Sequence, residues 1–175
     1  MQQRLIRRLA AATVILAVVC AAAVWFLSRP GGTTRQERES LLNQAFPETR
    51  WQIETEQELD GLLLCGAVST DGRAAVAEFE PDGRGGYRFS SAAARSCQEI
   101  IISPVRIGRT WYDVVWFAGA PTAYAELHYT LDHQPLEPIR CDTANMALIC
   151  RAAPGSSYSM QAAYFDDAGN VIQST

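Results

Sequence analysis

Three Asp-Gly pairs, at residues 60–61, 71–72 and 82–83, stand between short apolar stretches and limit what this chain can become. Glycine enters the left-handed backbone region at no steric cost and aspartate tolerates it, so such pairs mark tight reversals. The stretches between them are strand-sized. "WQIETEQEL" (51–59) alternates at its start, and "GLLLCGAVS" (61–69) is a compact apolar run. "RAAVAEFE" (73–80) follows the "TDG" turn, and "YRFSS" (87–91) returns after "PDGRGG" (81–86). The pattern predicts an antiparallel meander, followed by a helical turn over "SAAARS" (91–96). None of these glycine stretches is a phosphate loop: "DGRGGY" lacks lysine and leads into a strand, where a phosphate loop must lead into a helix.

The second half continues in the same manner. "QEIIISPVRI" (98–107), "TWYDVVWF" (110–117), "AYAELHYTL" (123–131), "LEPIRC" (136–141), "MALICR" (146–151), "SYSMQAAYF" (157–165) and "VIQ" (171–173) are candidate strands separated by Gly, Pro, Asp and Asn turns. Their spacing is that of a β-sandwich. No helical pattern of 10 to 15 residues lies between them, which disfavours a parallel α/β fold. "SYSMQAAYFDDAGNVI" (157–172) resembles the last hairpin of bacterial immunoglobulin-like surface domains, in which a Tyr-containing alternating strand meets an Asp-x-Ala-Gly-Asn turn. The resemblance covers at most the last 75 residues, and the Cys-Trp-Cys core signature of antibody domains is not present. It implies a sandwich used for display, spacing or binding, with no active site carried over.

The opening segment has a different character. From Leu9 to Leu27 there are 19 residues without a charge. As a helix rising ~1.5 Å per residue they reach about the thickness of a bilayer's hydrocarbon core. A cleaved signal peptide is one alternative, but "AAA" at 21–23 is followed by Val24, Trp25, Phe26 and Leu27, still apolar. Lipid attachment at Cys20 is another, and it meets the same objection, with bulky Val19 just before the cysteine. A retained anchor over 9–28 is therefore the expectation. Arg4, Arg7 and Arg8 precede the run and Arg29 follows it, which places residues 1–8 in the cytoplasm and the body outside. All 15 basic residues are arginine; four flank the run, leaving 11 against 19 acidic residues in the body, a net charge of −8. Nucleic acid is excluded as the main partner, because phosphate binding needs a basic surface.

Pro30, Gly31 and Gly32 break the membrane helix, and residues 29–36 form a spacer. Thr34, three residues before Glu37, reads as a capping box that opens a short amphipathic helix over 35–46, with Leu41, Leu42, Ala45 and Phe46 as its apolar face and Pro47 as its stop. The body then divides into a helix plus meander (37–96) and an Ig-like sandwich part (97–175), which can also form one compact unit.

Cys65, Cys97, Cys141 and Cys150 lie in the external part, and an oxidising compartment permits two disulfides. Of the three pairings, 65–97 and 141–150 are the local ones and are expected. Free buried thiols are the alternative. Zinc is disfavoured, since no Cys-x-x-Cys pair exists and only His128 and His133 could join the cysteines. Cys65 sits in "LLLCGA", a setting that raises a thiol pKa and weakens it as a nucleophile. His128 reads as structural, no serine has a Gly-x-Ser-x-Gly context, and Asp166, Asp167 and Asn170 read as a turn rather than a calcium loop. No metal or cofactor is indicated.

"TWYDVVWFAGAPTAY" is the stretch richest in recognition chemistry. Trp111, Val115 and Phe117 share one strand face with Asp113, and Tyr112, Val114 and Trp116 share the other. Either both faces are covered, making this a central strand, or one aromatic row, Trp111 with Phe117 or Tyr112 with Trp116, is exposed to bind a glycan or peptide. The expectation is a single-pass, mainly β envelope protein: a transmembrane helix, an amphipathic helix, an antiparallel meander and an Ig-like sandwich. It touches the bilayer through 9–28 and acts as a non-enzymatic binding or structural module with a protein or glycan partner. The alternative is an envelope hydrolase or thiol-redox protein whose site follows no recognised motif.

Overall fold

The computed structural model describes residues 31–175 and, in the opening segment, Ile15, Leu16, Val18, Val19, Cys20 and Val24. The expected anchor over 9–28 otherwise lies outside the described residues. Among those residues no helix is long and apolar enough to cross a membrane.

Helix α1 spans Arg35–Ala45 and starts as the sequence predicts. Thr34 accepts a hydrogen bond from the Glu37 amide at 3.2 Å, and the Glu37 carboxylate accepts one from the Thr34 amide at 3.2 Å. This reciprocal pairing satisfies amides that the first helical turn leaves without partners. Four antiparallel strands follow: β1 (Trp51–Leu59), β2 (Leu62–Ser69), β3 (Arg73–Pro81) and β4 (Tyr87–Ser96), paired in that order. At the turns Asp60, Gly61, Gly72 and Gly83 all have positive φ. The helical turn expected over 91–96 is corrected to strand. Ala92, Ala93, Ala94 and Arg95 pair with Ala77, Val76, Ala75 and Ala74 of β3, and ladder bonding outweighs alanine's helix preference.

Strands β5 (Ile101–Ile107), β6 (Thr110–Trp116) and β10 (Ile149–Ala152) form a second sheet in the order β10-β6-β5. The third sheet runs β12 (Val171–Ser174), β11 (Tyr158–Phe165), β7 (Tyr124–Leu131). Two short strands, β8 (Gln134–Pro135) and β9 (Ile139–Asp142), pair with the free side of β7. All pairings are antiparallel, so the chain is mainly β.

Three cores join four layers. α1 covers one face of the first sheet, packing Leu42 against Trp51, Ile53, Cys65 and Phe79. The opposite face of that sheet, with Leu64, Ala74 and Val76, meets Ile101, Val105, Val114 and Trp116 of the second sheet. The far face of the second sheet, with Val115 and Ile149, meets Leu127, Cys141, Ala162 and Tyr164 of the third. β2 is buried on both faces, which is why it reads as a continuous apolar run rather than an alternation. The first and second sheets share a core, so the two halves pack as neighbours.

A bulge in β1 sets which side chains α1 meets. Ile53 pairs with Ala67 and Thr55 with Gly66, leaving Glu54 as the extra residue. The slip turns Glu56 toward the helix, opposite Cys65. There it receives Arg38, whose Nε and Nη2 lie 3.0 and 2.9 Å from the two carboxylate oxygens.

Candidate binding surface

The four body cysteines are free thiols. This corrects the expected 65–97 and 141–150 bridges, and the reason is the layering. Cys65 lies in the core beneath α1, while Cys97 packs on the core between the first and second sheets. Cys141 faces the core between the second and third sheets, and Cys150 faces the other side of the second sheet. Short separation in sequence therefore places each pair across a sheet. Burial, followed by the nearby Glu56 carboxylate, pushes the Cys65 thiol up to about 12, and burial pushes Cys150 up to about 11. Both are protonated at neutral pH and are poor nucleophiles. The Arg151 guanidinium donates to the Cys141 sulfur at 3.6 Å.

β6 is a covered central strand. Trp116 is 1 % exposed and its indole N–H donates to the Met146 carbonyl at 3.0 Å. Phe117 is buried beside Tyr164, and Tyr112 is half-buried, donating to Asp60 at 3.3 Å. Trp111 alone of the four expected aromatics is exposed, with the Arg106 guanidinium 6.0 Å from its ring centre. An exposed aromatic row on β6 does not exist, because sheets cover both of its faces.

His128 projects from β7 on the face opposite Leu127 and Cys141's core, 3.5 Å from Glu126, so no cysteine faces it. Asp166 closes the β11–β12 turn by accepting from the Asn170 amide at 2.8 Å and its side-chain nitrogen at 3.0 Å. These bonds hold the Asp166 carboxyl below its ordinary value. Among the described residues no group of three or more His, Cys, Asp and Glu could hold a metal ion. A hollow of about 980 Å³ runs between α1 and the start of β1. Two of its polar side chains serve the fold: Asn43 bonds both the amide and the carbonyl of Trp51, and Glu39 accepts from the Ile53 amide.

The layering leaves the outer face of the third sheet open, and a ladder of planar groups crosses it. The Arg140 guanidinium on β9 lies 3.5 Å from the ring centre of Tyr124 on β7. Tyr124 in turn stacks on Phe165 of β11, with centroids 4.7 Å apart and planes within 6°. Tyr124 and Phe165 are direct cross-strand partners, whereas Arg140 is diagonal to Tyr124 because it pairs with Glu126. Cation–π and ring-stacking contacts contribute about 0.5–1.5 kcal/mol each and fix the rotamers of all three side chains. Sequence reasoning missed these residues. The alternation in "AYAELHYTL" places Tyr124 and His128 on one strand face, but only strand pairing brings Arg140 and Phe165 beside them.

The ladder presents a guanidinium and two stacked rings for contact, with the Glu126–His128 pair beside it on the same face. Comparison with protein-family models, with curated proteins and with solved structures finds no match for this chain.

Proposed function

We propose that the chain is a membrane-anchored, extracytoplasmic, non-enzymatic binding module whose outer sheet engages a protein or glycan partner at the cell envelope. The observation that carries this reading is the Arg140–Tyr124–Phe165 ladder on a sheet face that no other layer among the described residues covers. Ordered aromatic and arginine side chains are the groups that dominate binding energies, because little rotamer freedom remains to be lost on contact. The anchor is supported by the uncharged run in the sequence and by Ile15, Leu16, Val18, Val19 and Val24, which are 57–66 % exposed and leave apolar surface for lipid to cover.

The strand order supports the Ig-like reading of the second half. With β5, β6, β7, β10, β11 and β12 taken as A, B, C, E, F and G, the two sheets run A-B-E and C-F-G. That is the arrangement of immunoglobulin-type sandwiches. In this chain the A-B-E face is occupied by the first sheet, which leaves the C-F-G face for a partner.

The experiment is chemical cross-linking in intact membranes followed by purification of the full chain, comparing wild type with an Arg140→Ala, Tyr124→Ala double variant. The expected result is loss of the cross-linked partner from a variant that still folds cooperatively, its melting temperature lowered only by the loss of the two ladder contacts. Retention of the same partner at the same yield would refute this use of the face.

A further inference from the structure

We infer that Cys141 is a site of oxidation by small hydroperoxides, at which the thiol becomes a sulfenic acid held between the Arg151 guanidinium and the Tyr164 hydroxyl. This goes beyond the binding reading and does not depend on it. Cys141 is 7 % exposed and lines a hollow of about 250 Å³ together with Gln57, Ile149 and Arg151. The hollow lies where β9, at an edge of the third sheet, comes beside β10, at an edge of the second. Its rim, with Arg151 and Asp142, is exposed. A small uncharged oxidant can enter such a space without being repelled by the acidic body.

Strand alternation builds the surroundings of the sulfur. On β9, Cys141 points into the core, whereas its neighbour Asp142 points away and its carboxylate accepts from the Ala144 amide at 2.8 Å. The Cys141 thiol donates to the Ile139 carbonyl at 3.9 Å, and its sulfur accepts from Arg151 Nη2 at 3.6 Å. Among the described residues it is the only body cysteine whose sulfur accepts a hydrogen bond from a cation. A charged N–H donor favours negative charge at its acceptor, and a thiolate is the form of cysteine that attacks. The other cysteines lack this setting. Cys65 Sγ lies 4.0 Å from the Glu56 carboxylate, and burial alone pushes Cys150 up to about 11. Cys150 lines the same hollow but packs on the far side of its sheet, away from Cys141.

Tyr164 supplies an independent sign that something belongs there. Cys141 pairs with Ala125 and Ala125 with Tyr164, so the three form one row on the inner face of the third sheet, with only a methyl group between thiol and phenol. Their backbones stand two strand spacings, about 10 Å, apart, a gap that a tyrosine side chain largely spans. Burial first, and then charge at Cys141, push the Tyr164 phenol up, which fits that approach. Tyr164 is 1 % exposed and its hydroxyl has no hydrogen-bond partner, a costly state for a buried donor. Tyr129, the other phenol near the sulfur, is already committed to Asp113 at 3.0 Å. A sulfenic oxygen on Cys141 gives the Tyr164 hydroxyl the acceptor it lacks. In the reaction the sulfur attacks one peroxide oxygen, an S–O bond forms as the O–O bond breaks, and the thiol proton ends on the departing oxygen. One thiol and one hydroperoxide thus give one sulfenic acid and one alcohol or water, with two electrons passing from sulfur to the peroxide.

The test treats the full chain, reduced and folded, with a small excess of hydrogen peroxide in the presence of dimedone, which traps sulfenic acids, and locates the adduct by peptide mass spectrometry. Cys141 should carry it at least fivefold above Cys65, Cys97 and Cys150. Arg151→Ala should lower labelling of Cys141 at least threefold; a variant that merely loosened this edge would expose the thiol and raise it. Tyr164→Phe removes only the unpaired hydroxyl and so should fold. It should leave labelling unchanged when dimedone is present from the start, and shorten the lifetime of the sulfenic acid at least twofold when dimedone is added late. Labelling spread evenly or concentrated on Cys97, undiminished labelling in Arg151→Ala, or an unchanged lifetime in Tyr164→Phe would overturn the site.

Discussion

Tyr158, at the start of β11, donates a 2.6 Å hydrogen bond to the carboxylate of Asp113 in β6, which is 3 % exposed. Tyr129 donates to the other oxygen at 3.0 Å, so the charge that interrupts the apolar stretch "WYDVVWF" is satisfied from the facing sheet. Tyr158→Phe removes one donor from a buried carboxylate and should lower stability by about 1–3 kcal/mol, read from the denaturant midpoint. A pH dependence follows. Burial, then the bond to Asp113 and its charge, raise the Tyr158 phenol from 10.0 to about 12. The fold therefore holds the proton more tightly than the unfolded chain does. Its contribution is complete below pH 10 and is lost as pH rises toward 12. Tyr129 and Tyr164 shift in the same direction, so Tyr158→Phe should make the alkaline fall in stability shallower without abolishing it.

The Arg38–Glu56 pair should be the strongest single fastening of α1. Their side chains are 9 % and 19 % exposed, and the second arginine near Glu56, Arg35, stands at 3.8 Å. Arg38→Ala leaves a largely buried carboxylate poorly compensated and should cost about 3 kcal/mol, the low end for a broken buried pair. Adding Glu56→Gln should recover part of that loss. Equal melting temperatures for Arg38→Ala and wild type would show that Arg35 takes over the role.

Gly66 in β2 makes room for Trp116. A Cβ at that position would stand 2.7 Å from the indole and 2.7 Å from the Thr55 methyl. The indole is fixed by its bond to the Met146 carbonyl and cannot easily withdraw. Gly66→Ala should destabilise by about 1–3 kcal/mol through overpacking, and Gly66→Val by more, measured by thermal melting. Unchanged stability in Gly66→Ala would mean that the two sheets can separate slightly at no cost.

Thiol labelling should follow burial. Non-reduced peptide mapping of the native protein should find neither the 65–97 nor the 141–150 bridge. Cys65, which is buried with its thiol raised, should react with a maleimide at pH 7.5 only on denaturation, and Cys150, raised but partly exposed, should react slowly in the native protein. A 65–97 or 141–150 disulfide peptide from unheated protein would contradict the placement of these residues in separate cores.

Some features were legible because neighbours in sequence decide them. Thr34 and Glu37 cap a helix through groups three residues apart, and Asp60-Gly61 reverses the chain through its own backbone freedom. Alanines 92–94 misled for the complementary reason: their helix preference is worth tenths of a kcal/mol per residue, and a full ladder to β3 overrides it. The late strands are less legible. β9 and β10 begin three residues inside the apolar stretches at 136 and 146, where Glu137-Pro138 and the left-handed Asn145 and Met146 keep the chain out of the ladder. β8 has only two residues and no periodicity from which it could be read.

The sequence by itself determined that this chain is built of antiparallel strands behind a capped helix, because turns, caps and alternation are written in residues a few positions apart. Only the tertiary structure decided which faces those strands hide. Both sides of β6 are covered and its aromatics are interior, the cysteines are divided among three cores, and Arg140, Tyr124 and Phe165 meet on an open sheet. The physical reason is that apolar burial is non-directional: a strand's sequence shows that it must be covered, while the element that covers it is chosen by packing among segments distant in the chain.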